Sequence, residues 1–198
     1  MSKVITVLII LAIILIAVCI LFLFPKTETD TSGDHNNYKT SNTNMTITSP
    51  SFNDNDYIPA KFTCDGSTSL TAGGGINPEL DISGVPTAAK SLALVMHDPD
   101  APMAGGFTHW LIWNVDPKTP VIKEGNLPVG SIEGKNSSGA TSYVGPCPPS
   151  GVHHYHFTIY ALSDIIDLRS GSDKKSLESE INKYLLARAD LVGLYQRK

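Results

Sequence analysis

A chain of 198 residues is long enough for one domain with a full core and some additional sequence. Its formal net charge of -4, with no clustering of Lys and Arg, excludes nucleic acid as a partner on electrostatic grounds. Sixteen glycines and thirteen prolines, with few helix-periodic stretches, favour a mostly-β domain.

The additional sequence lies at the front. Val4 to Phe24 is apolar except for Thr6 and Cys19, about 21 residues, which at 1.5 Å per residue span a hydrocarbon core of roughly 30 Å. The expectation for residues 1–25 is therefore a transmembrane helix or uncleaved signal anchor. A cleaved signal has a shorter apolar region that ends in a small-x-small site, whereas this run ends in Leu21-Phe22-Leu23-Phe24-Pro25. Lipidation at Cys19 fits poorly, because Val18 precedes it and apolar residues continue to Phe24. Lys3 precedes the run, while Lys26 is soon offset by Glu28 and Asp30, so the positive-inside rule places a single-pass membrane protein with its folded domain on the extracytoplasmic side.

Residues 26–45 read as a flexible polar linker, since Thr27 to Asn44 is nearly free of large apolar side chains. The folded domain is expected over residues 46–198. Thr46 to Ser49 predicts a short strand, and Phe52 to Phe62, with Tyr57-Ile58-Pro59-Ala60, predicts an edge strand because proline cannot donate to a ladder. Cys64-Asp65-Gly66 is a turn. The Gly-rich loop Thr68 to Gly75 has no Lys-Ser/Thr after it and is not a phosphate-cradling P-loop. Asn77-Pro78-Glu79-Leu80 leads into another short strand. Asn44-Met45-Thr46 and Asn136-Ser137-Ser138 match the glycosylation sequon, a short pattern that matters only in a compartment that glycosylates.

Ser91 to Val115 is the stretch around which the domain is organised. Two strand-like apolar runs flank a turn that carries His97, Asp98 and Asp100, followed by His109. Tyr143 to Gly151 is too proline-rich for a sheet interior and reads as a rigid loop. Val152 to Leu162 is a strand whose period of two puts His153, Tyr155 and Phe157 on one face and His154, His156 and Thr158 on the other. Ser172-Asp173 caps a helix predicted over Lys174 to Ala187, with Leu177, Ile181, Tyr184 and Leu185 at helical spacing. Leu191 to Tyr195 closes the chain as a short extended piece.

Strand ends often carry a single structural histidine. Here Asp98, Asp100, His109, His153 and Tyr155 all fall at strand ends or beside rigid loops, which is more titratable chemistry than packing needs. No Gly-x-Ser-x-Gly elbow supports a catalytic triad. Imidazole and carboxylate suit zinc, but the spacing of His97, Asp98, Asp100, His109 and His153 matches no metal motif.

Asp98-Pro99-Asp100-Ala101-Pro102, His109-Trp110, Gly145-Pro146-Cys147-Pro148-Pro149 and Gly151-Val152-His153-His154-Tyr155, in that order, resemble the phosphatidylethanolamine-binding protein family. The likeness is to its bacterial and archaeal, Raf-kinase-inhibitor-like branch, and Thr63-Cys64-Asp65-Gly66, Tyr160-Ala161-Leu162 and the closing Gly193-Leu194-Tyr195-Gln196-Arg197 share it. The resemblance implies a β-sandwich with a C-terminal helix and a small anion-accepting pocket at one end. Carried over motif by motif, the ligand-binding residues would be Asp98, Asp100, His109, Cys147, Pro148, Pro149, His153 and Tyr155, with Asp100 holding the loop. It also implies that Cys64 and Cys147 lie close together, as a disulfide in an oxidising compartment.

The implied ligand is small and phosphorylated or carboxylated, phosphoethanolamine being the model, with no cofactor, no metal and no catalysis. His109, the Tyr155 hydroxyl and loop N–H groups can donate to a phosphoryl group, while Asp98 can fix a neighbouring histidine or accept from a ligand ammonium. Two other classes stand beside this one: a phosphoryl or acyl hydrolase or transferase using His109 or His153 as base, and a kinase or protease regulator acting through the pocket rim. The sequence departs from the family pattern in three places. His154 replaces an arginine, Ile82 replaces a tryptophan, and Thr68 to Gly75 is enlarged, which leaves anion affinity and pocket shape open.

Overall fold

The computed structural model describes residues 44–66 and 75–197. The segments expected to form the membrane helix (1–25) and most of the linker lie outside the described residues, as does most of the Gly-rich loop. The transmembrane helix, and the single-pass extracytoplasmic placement that rests on it, are corrected: among the described residues no helix is long and apolar enough to cross a membrane. The described α-helix, α1 (Lys174–Tyr184), has 11 residues, so it extends only about 16 Å at 1.5 Å per residue, half a hydrocarbon core. It is amphipathic, burying Leu177 and Ile181 against the sheet and leaving its lysines and glutamates outside.

Nine strands form two sheets among these residues. β1 (Thr46–Thr48), β3 (Leu80–Ser83) and β6 (Val121–Ile122) make a small antiparallel sheet in the order β1-β3-β6. β2 (Asp56–Tyr57), β4 (Ser91–Asp98), β5 (Phe107–Val115), β7 (Ile132–Glu133), β8 (His153–Leu162) and β9 (Leu185–Tyr195) make the larger one, in the order β2-β9-β8-β4-β5-β7. The edge strand β2 is parallel to β9, and the other pairs are antiparallel.

The larger sheet is covered on both faces, which explains why β4 and β5 are nearly continuous apolar runs. On one face Leu92, Leu94 and Met96 of β4 and Trp110 and Ile112 of β5 pack with Ile47, Leu80, Ile82 and Ile122 of the small sheet. On the other, Ala93, Val95, Leu111 and Trp113 pack under Leu177 and Ile181 of α1. β8 alternates as its period of two predicts: His153, Tyr155, Phe157 and Ile159 are buried toward the small sheet, while His154 is exposed on the opposite face.

Two elements differ from their sequence readings: of the edge strand expected over Phe52 to Phe62 only β2 forms, with Ala60–Phe62 in a 3-10 helix, and the C-terminal helix is shorter than expected. The helix stops at Tyr184, and Leu185 begins an 11-residue strand that pairs with β8 along its full length, from Leu162↔Leu185 to His153↔Tyr195. Leu-Leu-Ala-Arg-Ala favours helix locally, but burial of Ala187, Leu191 and Tyr195 in the inter-sheet core outweighs that preference.

Candidate functional site

The C-terminal end of β4, the N-terminal ends of β5 and β8, and the loop 143–151 meet at one end of the larger sheet. Between them lies an open pocket of about 430 Å³, lined by Asp98, His109, His153, Tyr155 and Cys147 to Pro149, with Met103, Phe107, Ser138 and Val144 on its walls. Seven of the eight residues picked from the sequence line it. Asp100 does not: it is half-exposed, and its Oδ2 accepts from the His154 backbone N–H at 2.8 Å and sits 2.7 Å from His154 Nδ1. Those hydrogen bonds hold its carboxyl below the usual carboxylate range. Asp100 thus ties the β4–β5 loop to the start of β8, and His154 faces it rather than the pocket.

Asp98 is buried at the end of β4 with both oxygens engaged. Oδ1 accepts from the Asp100 N–H at 2.8 Å, and Oδ2 lies 2.7 Å from His153 Nδ1. Because the carboxylate only accepts, Nδ1 of His153 carries a proton in this contact. The loop that returns from Asp98 requires glycine at Gly106: its φ is +72°, and a Cβ there would lie 2.4 Å from the Asp98 carbonyl oxygen and 2.7 Å from His97 Nε2.

His109, two residues into β5 and 5 % exposed, places Nδ1 2.8 Å from the Val144 carbonyl oxygen, and Val144 N–H returns a bond to the His109 carbonyl at 3.1 Å. The carbonyl accepts, so Nδ1 carries the proton and Nε2 is a lone pair. Burial lowers the pKa of His109 to about 4, while the Val144 carbonyl and Asp98 act in the opposite direction. At neutral pH His109 is therefore uncharged and presents an acceptor, which differs from the donor expected from sequence. Tyr155 is fully buried between the two imidazoles, at ring centroid distances of 5.1 Å from His109 and 6.4 Å from His153. Burial and the nearby Asp98 raise its pKa far above the ordinary phenol value. Its hydroxyl has no hydrogen-bond partner in the protein.

The low pKa of His109 makes the fold acid-sensitive. Unfolded, the ring protonates near 6.5; folded, only near 4. Stability is therefore full above about pH 6.5 and lost as pH falls from 6.5 toward 4, by about 2–4 kcal/mol at 1.36 kcal/mol per unit. His97, also lowered by burial, acts in the same direction. Urea denaturation at pH 7.5 and 4.5 checks this: His109→Gln is expected to flatten most of the difference, and an unchanged pH profile would contradict it.

The pocket's far wall is a loop fixed from several sides. Cys147 is disulfide-bonded to Cys64, Cys64 N–H donates to the Pro146 carbonyl at 3.1 Å, and Tyr143 Oη donates to the Phe62 carbonyl at 2.8 Å. Ser138 arrives through Asn136, which is 4 % exposed. Its Oδ1 accepts from Ser138 N–H, Ser138 Oγ–H and Ala140 N–H, and its Nδ2 donates to the Ser142 carbonyl at 2.8 Å. The sequon at Asn136 is thus a buried turn-forming amide with no room for a glycan. Phe107, Ser138 and Val144 were not picked from the sequence. Phe107 alone left a signal, two residues before His109 on the same strand face. His97 and His156 lie on the opposite face of the sheet, in a shallow groove with Lys174, Glu178 and Arg188.

A β-sandwich of two sheets with a mostly apolar pocket, lined by two histidines and a tyrosine at one end of its larger sheet, defines a ligand-binding domain. Residues 48–196 match the family model described as phosphatidylethanolamine-binding protein (PEBP). The chain belongs to that family. A UPF0098 protein from Methanothermobacter thermautotrophicus is 44% identical over 158 residues, which cover 77% of this chain and 99% of that protein. Among solved structures, a PEBP homologue from Chlamydia trachomatis aligns with a TM-score of 0.71 at 34% identity, over 78% of this chain and 98% of its own. YbcL from E. coli, described as a member of the mammalian PEBP family, aligns with a TM-score of 0.70 at 28% identity, over 78% and 99% of the two chains.

Proposed function

We propose that the pocket binds a small phosphorylated or carboxylated molecule of the phosphoethanolamine type, without covalent chemistry. The observation that carries this reading is Tyr155: its hydroxyl is buried and unpartnered in the protein, and its side chain lines the open pocket beside two imidazoles. A buried hydroxyl without a partner costs about 1–3 kcal/mol, which a ligand oxygen accepting its hydrogen bond recovers. Asp98 has lone pairs left after its two hydrogen bonds and suits an ammonium at the other end of a zwitterion. The name of the family model, phosphatidylethanolamine-binding protein, points toward a headgroup of this kind.

The Asp98–His153 pair on its own resembles a base held by a carboxylate, as the hydrolase alternative requires. Against that, the aliphatic hydroxyl in the pocket, on Ser138, donates to Asn136 Oδ1 at 2.6 Å instead of to a histidine. Binding is the reading that uses every polar group in its observed partnership.

A nitrogen-15 NMR titration of the full chain with O-phosphoethanolamine tests it. Saturable shifts are expected at His109, His153 and Tyr155, and Tyr155→Phe is expected to weaken binding about 10- to 100-fold, the worth of one hydrogen bond to a charged group. No shifts at millimolar ligand, or a Tyr155→Phe variant that binds like wild type, would contradict it.

A further inference from the structure

The pocket built for an anion lacks a permanent positive charge. No Lys or Arg is among its lining residues, and it contains the carboxylate of Asp98. The loop Gly145 to Pro149 supplies few backbone donors, because Pro146, Pro148 and Pro149 have no N–H. Val144 N–H is already given to the His109 carbonyl. The side chains continue the pattern. Nδ1 of His153 faces Asp98 Oδ2 and Nδ1 of His109 faces the Val144 carbonyl, so neither Nδ1–H is left for a ligand; the neutral His109 ring offers the lone pair of Nε2 to whatever enters, and Tyr155 adds one O–H. A fully ionised phosphoryl or carboxylate oxygen meeting an imidazole lone pair is a contact between two acceptors. One added proton converts it into a charge-assisted hydrogen bond.

We infer that this pocket takes its anion together with one proton from solvent, held between His109 Nε2 and a ligand oxygen, so that a phosphomonoester is bound with the composition of its monoanion. The inference rests on the ligand-binding reading above and adds the charge state selected. Nε2–H···O⁻ and Nε2···H–O are the same composition, so the inference does not depend on which atom holds the proton. His109 is the ring placed for it. A proton on His109 Nε2 has only the arriving anion to balance it, because Nδ1 rests on the neutral Val144 carbonyl, whereas the Asp98 carboxylate stands against His153 whether or not a ligand is bound. The groups facing His109 are Asp98 from β4, His153 and Tyr155 from β8, and Phe107 from its own strand at 4.7 Å between ring centroids, while His97 acts on it only through space from the other face of the sheet. The neutral resting state of His109 agrees with a ring that gains its proton only when an anion arrives.

Calorimetry with methyl phosphate, which carries no ammonium, tests this on the full chain. Titrations in two buffers of different ionisation enthalpy at pH 7.5 are expected to show uptake approaching one proton per ligand. Kd is expected to rise about tenfold per pH unit above the second ionisation of the ester, near pH 6. His109→Gln removes the ring that takes the proton, so binding should weaken and the uptake should be lost from whatever binding remains. Wild-type binding with no proton uptake and a pH-independent Kd would overturn the inference and leave the ligand-binding reading standing. Uptake that survives in His109→Gln would overturn its assignment to this ring. Absence of binding at pH 5.5 and at pH 8.5 would overturn both readings.

Discussion

Removing the disulfide between Cys64 and Cys147 is expected to cost about 4–5 kcal/mol, from the loop entropy of a long cross-link. The two cysteines are 83 residues apart in sequence, with a Cα–Cα distance of 5.4 Å, so the bond removes a large part of the freedom of the unfolded chain. Its position adds a local effect. The bond joins the turn after Phe62 to the loop that forms the pocket's far wall, beside the Tyr143–Phe62 hydrogen bond and the bond from Tyr195 Oη to Asp65 Oδ2 at 2.6 Å. The double variant Cys64→Ser, Cys147→Ser should unfold at a clearly lower urea concentration than the oxidised wild type, and reductant should bring the wild type to the same midpoint. Ligand affinity should fall with it, because Cys147, Pro148 and Pro149 line the pocket. Equal midpoints with and without reductant would contradict the prediction.

Asp98→Ala is expected to be nearly as damaging, at about 3–5 kcal/mol, the range for removing one partner of a buried pair. The pair is nearly closed to solvent, with 9% of the His153 side chain and 4% of the Asp98 side chain exposed. The substitution strands the His153 Nδ1–H and the Asp100 N–H together and frees the histidine to change tautomer. Asp98→Asn keeps the volume and one acceptor, so it should recover part of the stability while abolishing any interaction with a ligand ammonium. Denaturation curves measure the first effect, and histidine side-chain nitrogen-15 shifts report the tautomer of His153. An Asp98→Ala protein within about 1 kcal/mol of wild type would show that this pair is not what organises the pocket floor.

Much of this arrangement is legible in the sequence where burial imposes a pattern. β4 and β5 are doubly buried and read as apolar runs, and β8 is half-buried and reads as an alternation that sends His153 and Tyr155 inward and His154 and His156 outward. The two-residue strands β6 and β7 are too short to carry any period, and neither was visible. The second half of β9, Leu191 to Tyr195, was read as extended, but its start was concealed because Leu185 and Ala187 satisfy a helical pattern as well as a strand one, and only pairing with β8 decides between them. The polar floor of the pocket was readable from motif residues, whereas Ser138 and Val144 reach it through loop hydrogen bonds that no local pattern encodes. The direction of the His109 lone pair likewise depends on a carbonyl 35 positions away. The apolar run near the amino terminus, read as a membrane helix, has no counterpart among the described residues.

The central claim is that an anionic headgroup sits on the Tyr155 hydroxyl at the end of the larger sheet. A crystal structure of the full chain grown with O-phosphoethanolamine near pH 6 tests it most directly. The account predicts phosphoryl oxygens within hydrogen-bond distance of Tyr155 Oη and His109 Nε2, with the ammonium toward Asp98. Ligand density in the groove of Lys174 and Arg188 on the opposite face, with none against Tyr155, would contradict it.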